Sequence, residues 1–216
     1  MTVSIKVYSD YVCPFCFIAE KPLQEAIKGK DVQIEWMPFE LRPYPNETLK
    51  PEGEYLQNTW QTSVYPLAKK FEVDIVLPNV SPQPYTHLAF EGFQFAKENG
   101  KAEAYNHRMF QAFFQEHQNI GDIEILTNLA GEIGLDKEKY RSVLEERKYK
   151  QAHQAVLEHA ANEANITAVP TMIIGDQTLR GLHDAPDIAK VIDEEQSKQP
   201  TISFEQGMAC GPDGCF

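Results

Sequence analysis

Strand signal in this 216-residue chain is confined to its two ends. Val3 to Tyr8 alternates and is rich in β-branched residues, and Val32-Gln33-Ile34-Glu35-Trp36-Met37 is a second such run, stopped by Pro38. The next strand signals come only at Thr171 to Ile174 and Thr178 to Arg180, joined by Gly175-Asp176 as a hairpin turn. The stretch between is mainly helical in its periodicity, with a Pro-rich loop at Val76 to Pro84. Neither end can cover a sheet alone, so the two must pack together. The expected class is α/β, with a β/α unit split by a large all-helical insertion. Hydrophobic residues at 42% and charged residues at 24% are close to the average for folded domains, which excludes a disordered or fibrous chain. A chain of about 150–250 residues removes roughly 70% of its unfolded surface from water, so disulfide staples are not needed.

The boundaries follow from composition and periodicity. Residues 1–41 and 166–198 form the β/α unit, 42–165 the helical insertion and 199–216 a C-terminal tail. Pro43, Pro45 and Pro51 mark the entry to the insertion, and Pro66 is expected to split Glu54 to Phe71 into two short helices. Further helices are expected over Tyr85 to Asn99, around Met109, Phe110, Phe113 and Phe114, around Leu126 to Ile133, and from Ala152 to near Asn165. Gly29, Gly100 and Gly134 are helix stops. Asp184 is expected to cap a last helix with Ile188, Val191 and Ile192 on one face.

Charge narrows the partners. Lys plus Arg number 20 and Asp plus Glu 32, a net of −12, which repels phosphate backbones and anionic lipid. No nucleic-acid or membrane partner is expected. No run of ~18 apolar residues suits a membrane span. The N-terminus lacks the features of a signal peptide, so a cytoplasmic location is expected.

The four cysteines form two close pairs, Cys13-Pro14-Phe15-Cys16 and Cys210-Gly211-Pro212-Asp213-Gly214-Cys215. Cysteines that staple a fold are spread along it, whereas local pairs in a reducing compartment read as redox-active or metal-binding. The first pair lies between a strand and a helix, with Pro14 suited to the first helical turn. A sulfur at a helix start is near orphan N–H groups and the positive end of the helix dipole, which stabilise a thiolate. Cys13 is then the exposed nucleophile, and Cys16 one turn on the buried resolving thiol. Half of a zinc site is the competing reading. Val169-Pro170-Thr171 precedes the third strand; by itself it reads as a trans proline opening an edge strand, with a cis X-Pro turn as the alternative.

Ser9-Asp10-Tyr11-Val12-Cys13-Pro14-Phe15-Cys16 after a first strand, the helical insertion, and Val169-Pro170-Thr171 together resemble the DsbA family of thioredoxin-fold oxidoreductases. Trp36-Met37-Pro38-Phe39-Glu40-Leu41 resembles its cytosolic FrnE-type branch. The resemblance spans about 1–198. It implies a thioredoxin fold with a helical insertion, and thiol–disulfide exchange or isomerisation on protein disulfides. It also implies Cys13 and Cys16 as the catalytic pair, Pro14 and Phe15 in the active-site loop, and a cis Pro170 facing them. The Val169 backbone would pair with an extended substrate beside Thr171. Periplasmic oxidants of the family carry His between the cysteines. Pro14-Phe15 supplies no cation, which implies a less stabilised thiolate and a weaker oxidant.

Protein thiols and disulfides are the expected partners, with glutathione as a possible redox partner. No cofactor beyond the redox-active disulfide and no metal are expected. Cys210 and Cys215 read as a second redox pair, a passive local disulfide or a metal site. All four cysteines together would make a zinc tetrathiolate in a non-catalytic module. A glutathione-dependent isomerase or kappa-class transferase is the rival enzyme, although such relatives typically have Ser at the Cys13 position and lack the second cysteine. All six histidines read as structural or surface residues, and the Phe110, Phe113 and Phe114 face as insertion core. The Cys16 thiol must lose a proton to react, so a buried carboxylate beside it would help. The sequence does not select among Glu20, Glu35 and Glu40, and nothing in it marks an oligomer interface.

Overall fold

The computed structural model describes residues 2–198 and, as backbone only, the strand pair Cys210–Gly211 and Gly214–Cys215. Four strands form one sheet: β1 (Val3–Ser9), β2 (Val32–Pro38), β3 (Thr171–Ile174) and β4 (Gln177–Arg180), in the order β2-β1-β3-β4. β1 runs parallel to β2 and antiparallel to β3, and β3 turns back into β4 as the expected hairpin. The two ends of the chain thus meet in one sheet. Tyr8 stands opposite Thr171, so the segment before β3 lies beside the loop leaving β1.

Period-two alternation sorts the faces. Val3, Ile5, Val7, Met172 and Ile174 join one core with α1 (Pro14–Ala26) and the last helix, α9 (Ala185–Ser197). Tyr8 and Met37 face a smaller cluster with Ala160 and Ile166 at the end of the helix Lys150–Asn162. Between α1 and that helix the chain runs through α2 (Glu54–Thr59), α3 (Tyr65–Lys70), α4 (His87–Glu98), α5 (Ala102–Phe114), α6 (Ile123–Glu132) and α7 (Lys137–Glu145), with Lys150–Asn162 as α8.

The insertion shares its core with the sheet unit. Phe110, Phe113 and Phe114 are fully buried, as expected of core. Phe110 and Phe114 stack on Phe17 of α1 with centroids 5.6 and 5.7 Å away. Offset aromatic pairs of this kind contribute about 0.5–1.5 kcal/mol each beyond their area burial.

Pro66 does not split its segment as expected. α2 and α3 are joined by a π-helical turn, Trp60–Val64, in which the Tyr65 N–H bonds back to the Trp60 carbonyl. The widened turn absorbs the missing proline N–H without breaking the helix. Asp184 stands at the N-cap of α9, but its side chain makes no cap bond; it pairs instead with Lys70 of α3 at 2.9 Å. The expected stops at Gly100 and Gly134 have φ of +68° and +83°, conformations open to glycine. α7 has no counterpart in the sequence expectations. Its signals were Asp136, which caps Lys139 N–H at 3.0 Å, and the triplet Tyr140, Val143 and Leu144 in an otherwise polar segment. Among the described residues no helix is long and apolar enough to cross a membrane.

Candidate active site

Cys13 is the N-cap of α1, with Pro14 as its first helical residue. The proline needs no N–H partner there and its fixed φ suits the first turn, so the sequence itself starts the helix at the motif. The loop before it is closed by a Cys13 N–H bond to the Asp10 carbonyl at 3.0 Å. Cys13 and Cys16 are both free thiols.

Cys13 is not the exposed residue expected. It is 4% exposed, packed within the core cluster beside Val12, Phe15 and Val169. Its thiol donates to the Val169 carbonyl at 3.7 Å, which roofs the sulfur. The Val169–Pro170 peptide is cis, as the family resemblance implied, in place of the trans bond that the local sequence alone suggested. Thr171 is buried, and its hydroxyl donates to the Ala168 carbonyl at 2.7 Å, holding the turn. The structure therefore brings Cys13, Cys16, Phe15, Val169, Pro170 and Thr171 to one place. The Cys210 and Cys215 side chains lie outside the described residues, although their backbones pair directly opposite one another. The zinc tetrathiolate reading thus falls largely outside them as well; among the described residues no group of three or more His, Cys, Asp or Glu could hold a metal.

Cys16 is 2% exposed, as expected of the resolving thiol. Burial pushes its pKa well above the ordinary value, and the neighbouring Cys13 adds to that rise. A thiol so held needs a base to react near neutral pH.

Of the three carboxylates considered from sequence, Glu20 is buried and bonded to His107 Nδ1 at 2.9 Å, and Glu35 pairs with Lys97 near the surface at 2.9 Å. Glu40 is buried against His153 Nε2 at 2.5 Å. The residue sequence reasoning missed is Asp10. It is 1% exposed, and its backbone N–H and its carboxyl both act on Cys16. Its Oδ2 accepts the Leu41 N–H at 2.7 Å, while Oδ1 has no hydrogen-bond partner among the described residues. Burial, more than these bonds offset, pushes its pKa up to about 7; Glu40 adds to the rise. The available signal was its place three residues before Cys13, in a stretch that reads as loop.

A raised folded-state pKa fixes a pH dependence. Folded Asp10 holds its proton between 3.8 and about 7 where the unfolded chain releases it. The stability it contributes is therefore complete below pH 3.8 and lost as pH rises towards 7. At ~1.4 kcal/mol per pH unit the loss is about 4 kcal/mol. Asp10→Asn removes this dependence. In urea unfolding, the stability of the variant relative to wild type is expected to rise by about 4 kcal/mol from pH 4 to pH 8. A constant difference across that range contradicts the assignment.

The sequence matches the DSBA-like thioredoxin domain family over residues 4–193. An uncharacterised protein of Bacillus subtilis (strain 168), YwbO, is 58% identical over 200 residues, covering 92% of this chain and all of the relative. Among solved structures, a probable DsbA oxidoreductase from Streptomyces coelicolor superposes with a TM-score of 0.76 at 22% identity, covering 99% of this chain and 98% of the other. The cytosolic disulfide reductase DsbM from Pseudomonas aeruginosa, solved with GSH, gives 0.64 at 16% identity, covering 90% and 96%. At these identities the solved structures show likeness of fold.

Proposed function

This chain belongs to the DSBA-like thioredoxin domain family, and we propose that within it the protein exchanges disulfides with protein substrates or glutathione through Cys13 and Cys16. The observation that carries the reading is the Cys13 thiol held 3.7 Å from the Val169 carbonyl, with Cys16 buried behind it in the first turn of α1. Val169 offers backbone for an extended substrate, in the manner of strand addition. When Cys13 gives up its proton, that carbonyl loses its thiol donor and becomes free to accept a substrate N–H.

In the reductive direction the Cys13 thiolate attacks one sulfur of a substrate disulfide. The substrate S–S bond breaks, a mixed disulfide forms, and the first substrate sulfur leaves as thiolate. Cys16 then attacks Cys13. The Cys16 proton passes to the Asp10 carboxylate, the second substrate sulfur leaves, and Cys13–Cys16 ends as a disulfide. Two electrons have moved from the protein to the substrate, and the reverse sequence oxidises a dithiol. Pro14-Phe15 places no cation between the cysteines, which favours a mild potential.

Retention of Cys16 favours this reading over a glutathione-dependent isomerase or transferase, which needs no second thiol. A cytoplasmic setting suits thiols that cycle, and DsbM, a cytosolic reductase solved with GSH, supports glutathione as the redox partner. Cys210–Cys215 is then a second redox pair in exchange with the first, a role that suits its backbone register.

The test is a trap. Cys16→Ala incubated with glutathione disulfide is expected to accumulate a glutathione adduct that peptide mapping places on Cys13. Wild type should resolve it. A Cys13 that stays unmodified in the variant contradicts the proposal.

A further inference from the structure

We infer that the buried Glu40–His153 pair is a positioning device for Asp10, setting its proton affinity and linking it to a cavity at the N-terminal end of α8. The inference rests on the reading of Asp10 as the acceptor of the Cys16 proton.

Two routes run from the cysteines to this pair. The first is backbone. The Leu41 N–H donates to Asp10 Oδ2 at 2.7 Å, so the residue adjoining Glu40 is fastened to the carboxyl. The second is a column of rings. Tyr11, between Asp10 and Cys13, stacks on Phe90 with centroids 4.4 Å apart, and Phe90 stacks on the His153 ring at 5.5 Å. Displacing either member of the pair is therefore felt at the active-site loop.

The pair is itself unusual in its surroundings. Glu40 is 9% exposed and His153 2%, and His153 Nδ1 is buried without a hydrogen-bond partner among the described residues. A buried polar atom left without a hydrogen bond is costly, so packing alone does not account for a histidine at this position. Both residues line a cavity of about 550 Å³ with Tyr44, His87, Arg147 and Lys150. The pair thus stands between that cavity and the active-site loop, while the cysteines lie beneath the Val169 carbonyl.

The charges facing Asp10 fix the sign of the effect. From α1 and its cap come Cys16 and Cys13, and from the loop comes Tyr11. Beyond β2 stands Glu40, whose negative charge holds the Asp10 proton more tightly. From the start of α4 comes Thr86, followed by His87, whose pKa burial and Arg147 push below the ordinary histidine value. Glu91, fully buried on the same helix, is held at 2.6 Å by Arg147 and so is compensated. Glu40 is hydrogen-bonded by His153 Nε2 at 2.5 Å. Removing Glu40's charge releases the Asp10 proton more easily, and removing His153 takes that hydrogen bond from Glu40, leaves its charge less screened toward Asp10 and does the opposite.

The experiment reads the second step alone. 5,5′-dithiobis(2-nitrobenzoate) releases one coloured thiolate when Cys13 attacks and a second when Cys16 resolves the mixed disulfide. The second phase is followed from pH 5 to 9 in full-length protein carrying Cys210→Ser and Cys215→Ser, so that tail thiols do not contribute. Glu40→Gln should move the inflection of that phase to lower pH and His153→Gln to higher pH, each by about one unit. Asp10→Asn should remove the inflection. Opposite shifts are not what a general loosening of the fold produces. Unmoved or same-direction inflections in the two variants, with Asp10→Asn still losing its own, overturn this inference and leave the acceptor role of Asp10 standing. An inflection that survives in Asp10→Asn overturns both.

Discussion

Cys13→Ala is expected to abolish disulfide exchange while leaving the fold in place. Of the two described thiols, Cys13 has its sulfur under the Val169 carbonyl, where a substrate strand would dock. Cys16 is more deeply buried, and its thiol is held protonated. It cannot take over the first attack, because a buried thiol with a raised pKa offers almost no thiolate at neutral pH. The structural cost is small. Cys13 is buried, so the lost sulfur leaves a void, but one of methylene size, worth about 1 kcal/mol. Nor does its side chain cap the helix, so no cap bond is lost. Reduction of a protein disulfide by dithiothreitol-charged protein measures the activity, and far-UV circular dichroism the fold. Turnover that persists in the variant would mean that the chemistry lies elsewhere, with Cys210 and Cys215 as the first place to look.

Gly92→Ala is expected to cost about 3 kcal/mol, lowering Tm by roughly 6–12 °C for a chain of this size. Alanine is the better helix former by about 1 kcal/mol, so propensity alone predicts the opposite sign. Packing decides. A Cβ on Gly92 would stand 2.0 Å from the Tyr140 hydroxyl and 2.5 Å from that of Tyr105. Those two hydroxyls are 2.6 Å apart, and Tyr105 also donates to the Ala89 carbonyl at 2.8 Å. All of this is fully buried where α4, α5 and α7 meet. The methyl must either open the helix contact or strand two buried hydroxyls. Adding Tyr140→Phe should recover part of the loss, because it removes the nearest clashing atom. A thermal midpoint at or above wild type would show that α4 and α7 do not approach as described.

The frame of the fold was legible because its signals are local. β-branched alternation at Val3 to Tyr8 and at Val32 to Met37, glycine at position 175 of a hairpin, and Pro14 after Cys13 each act within a few residues. The register that closes the sheet, Tyr8 opposite Thr171, could be expected only in outline, because pairing across so long an insertion is written in no single segment. Pro66 illustrates a related limit: its missing N–H reads locally as a break, while Trp60 and Val64, both buried, hold the widened turn in place. Asp184 was placed correctly as a cap position, but the partner of its side chain lies on α3, far away in sequence.

The site divided in the same way. The thiol pair and the Val169-Pro170-Thr171 turn carry their own local patterns. What converts them into a working arrangement does not. The burial of Cys13 depends on Val169, 156 positions away, and the carboxyl that acts on Cys16 belongs to Asp10 and not to Glu20, Glu35 or Glu40. Burial is a property of the folded whole, and no spacing rule reveals that an aspartate in a loop will be enclosed by Leu41 and Thr86. His153 likewise reads as an ordinary helix residue until α8 is laid against Glu40.

The most direct test of the account is a redox titration against glutathione, with free thiols labelled and each cysteine pair resolved by mass spectrometry. The account predicts a Cys13–Cys16 transition near the glutathione poise, with a second transition for Cys210–Cys215. Four thiols that resist labelling until a chelator is added would contradict it, for they would be zinc ligands and the redox reading would fall.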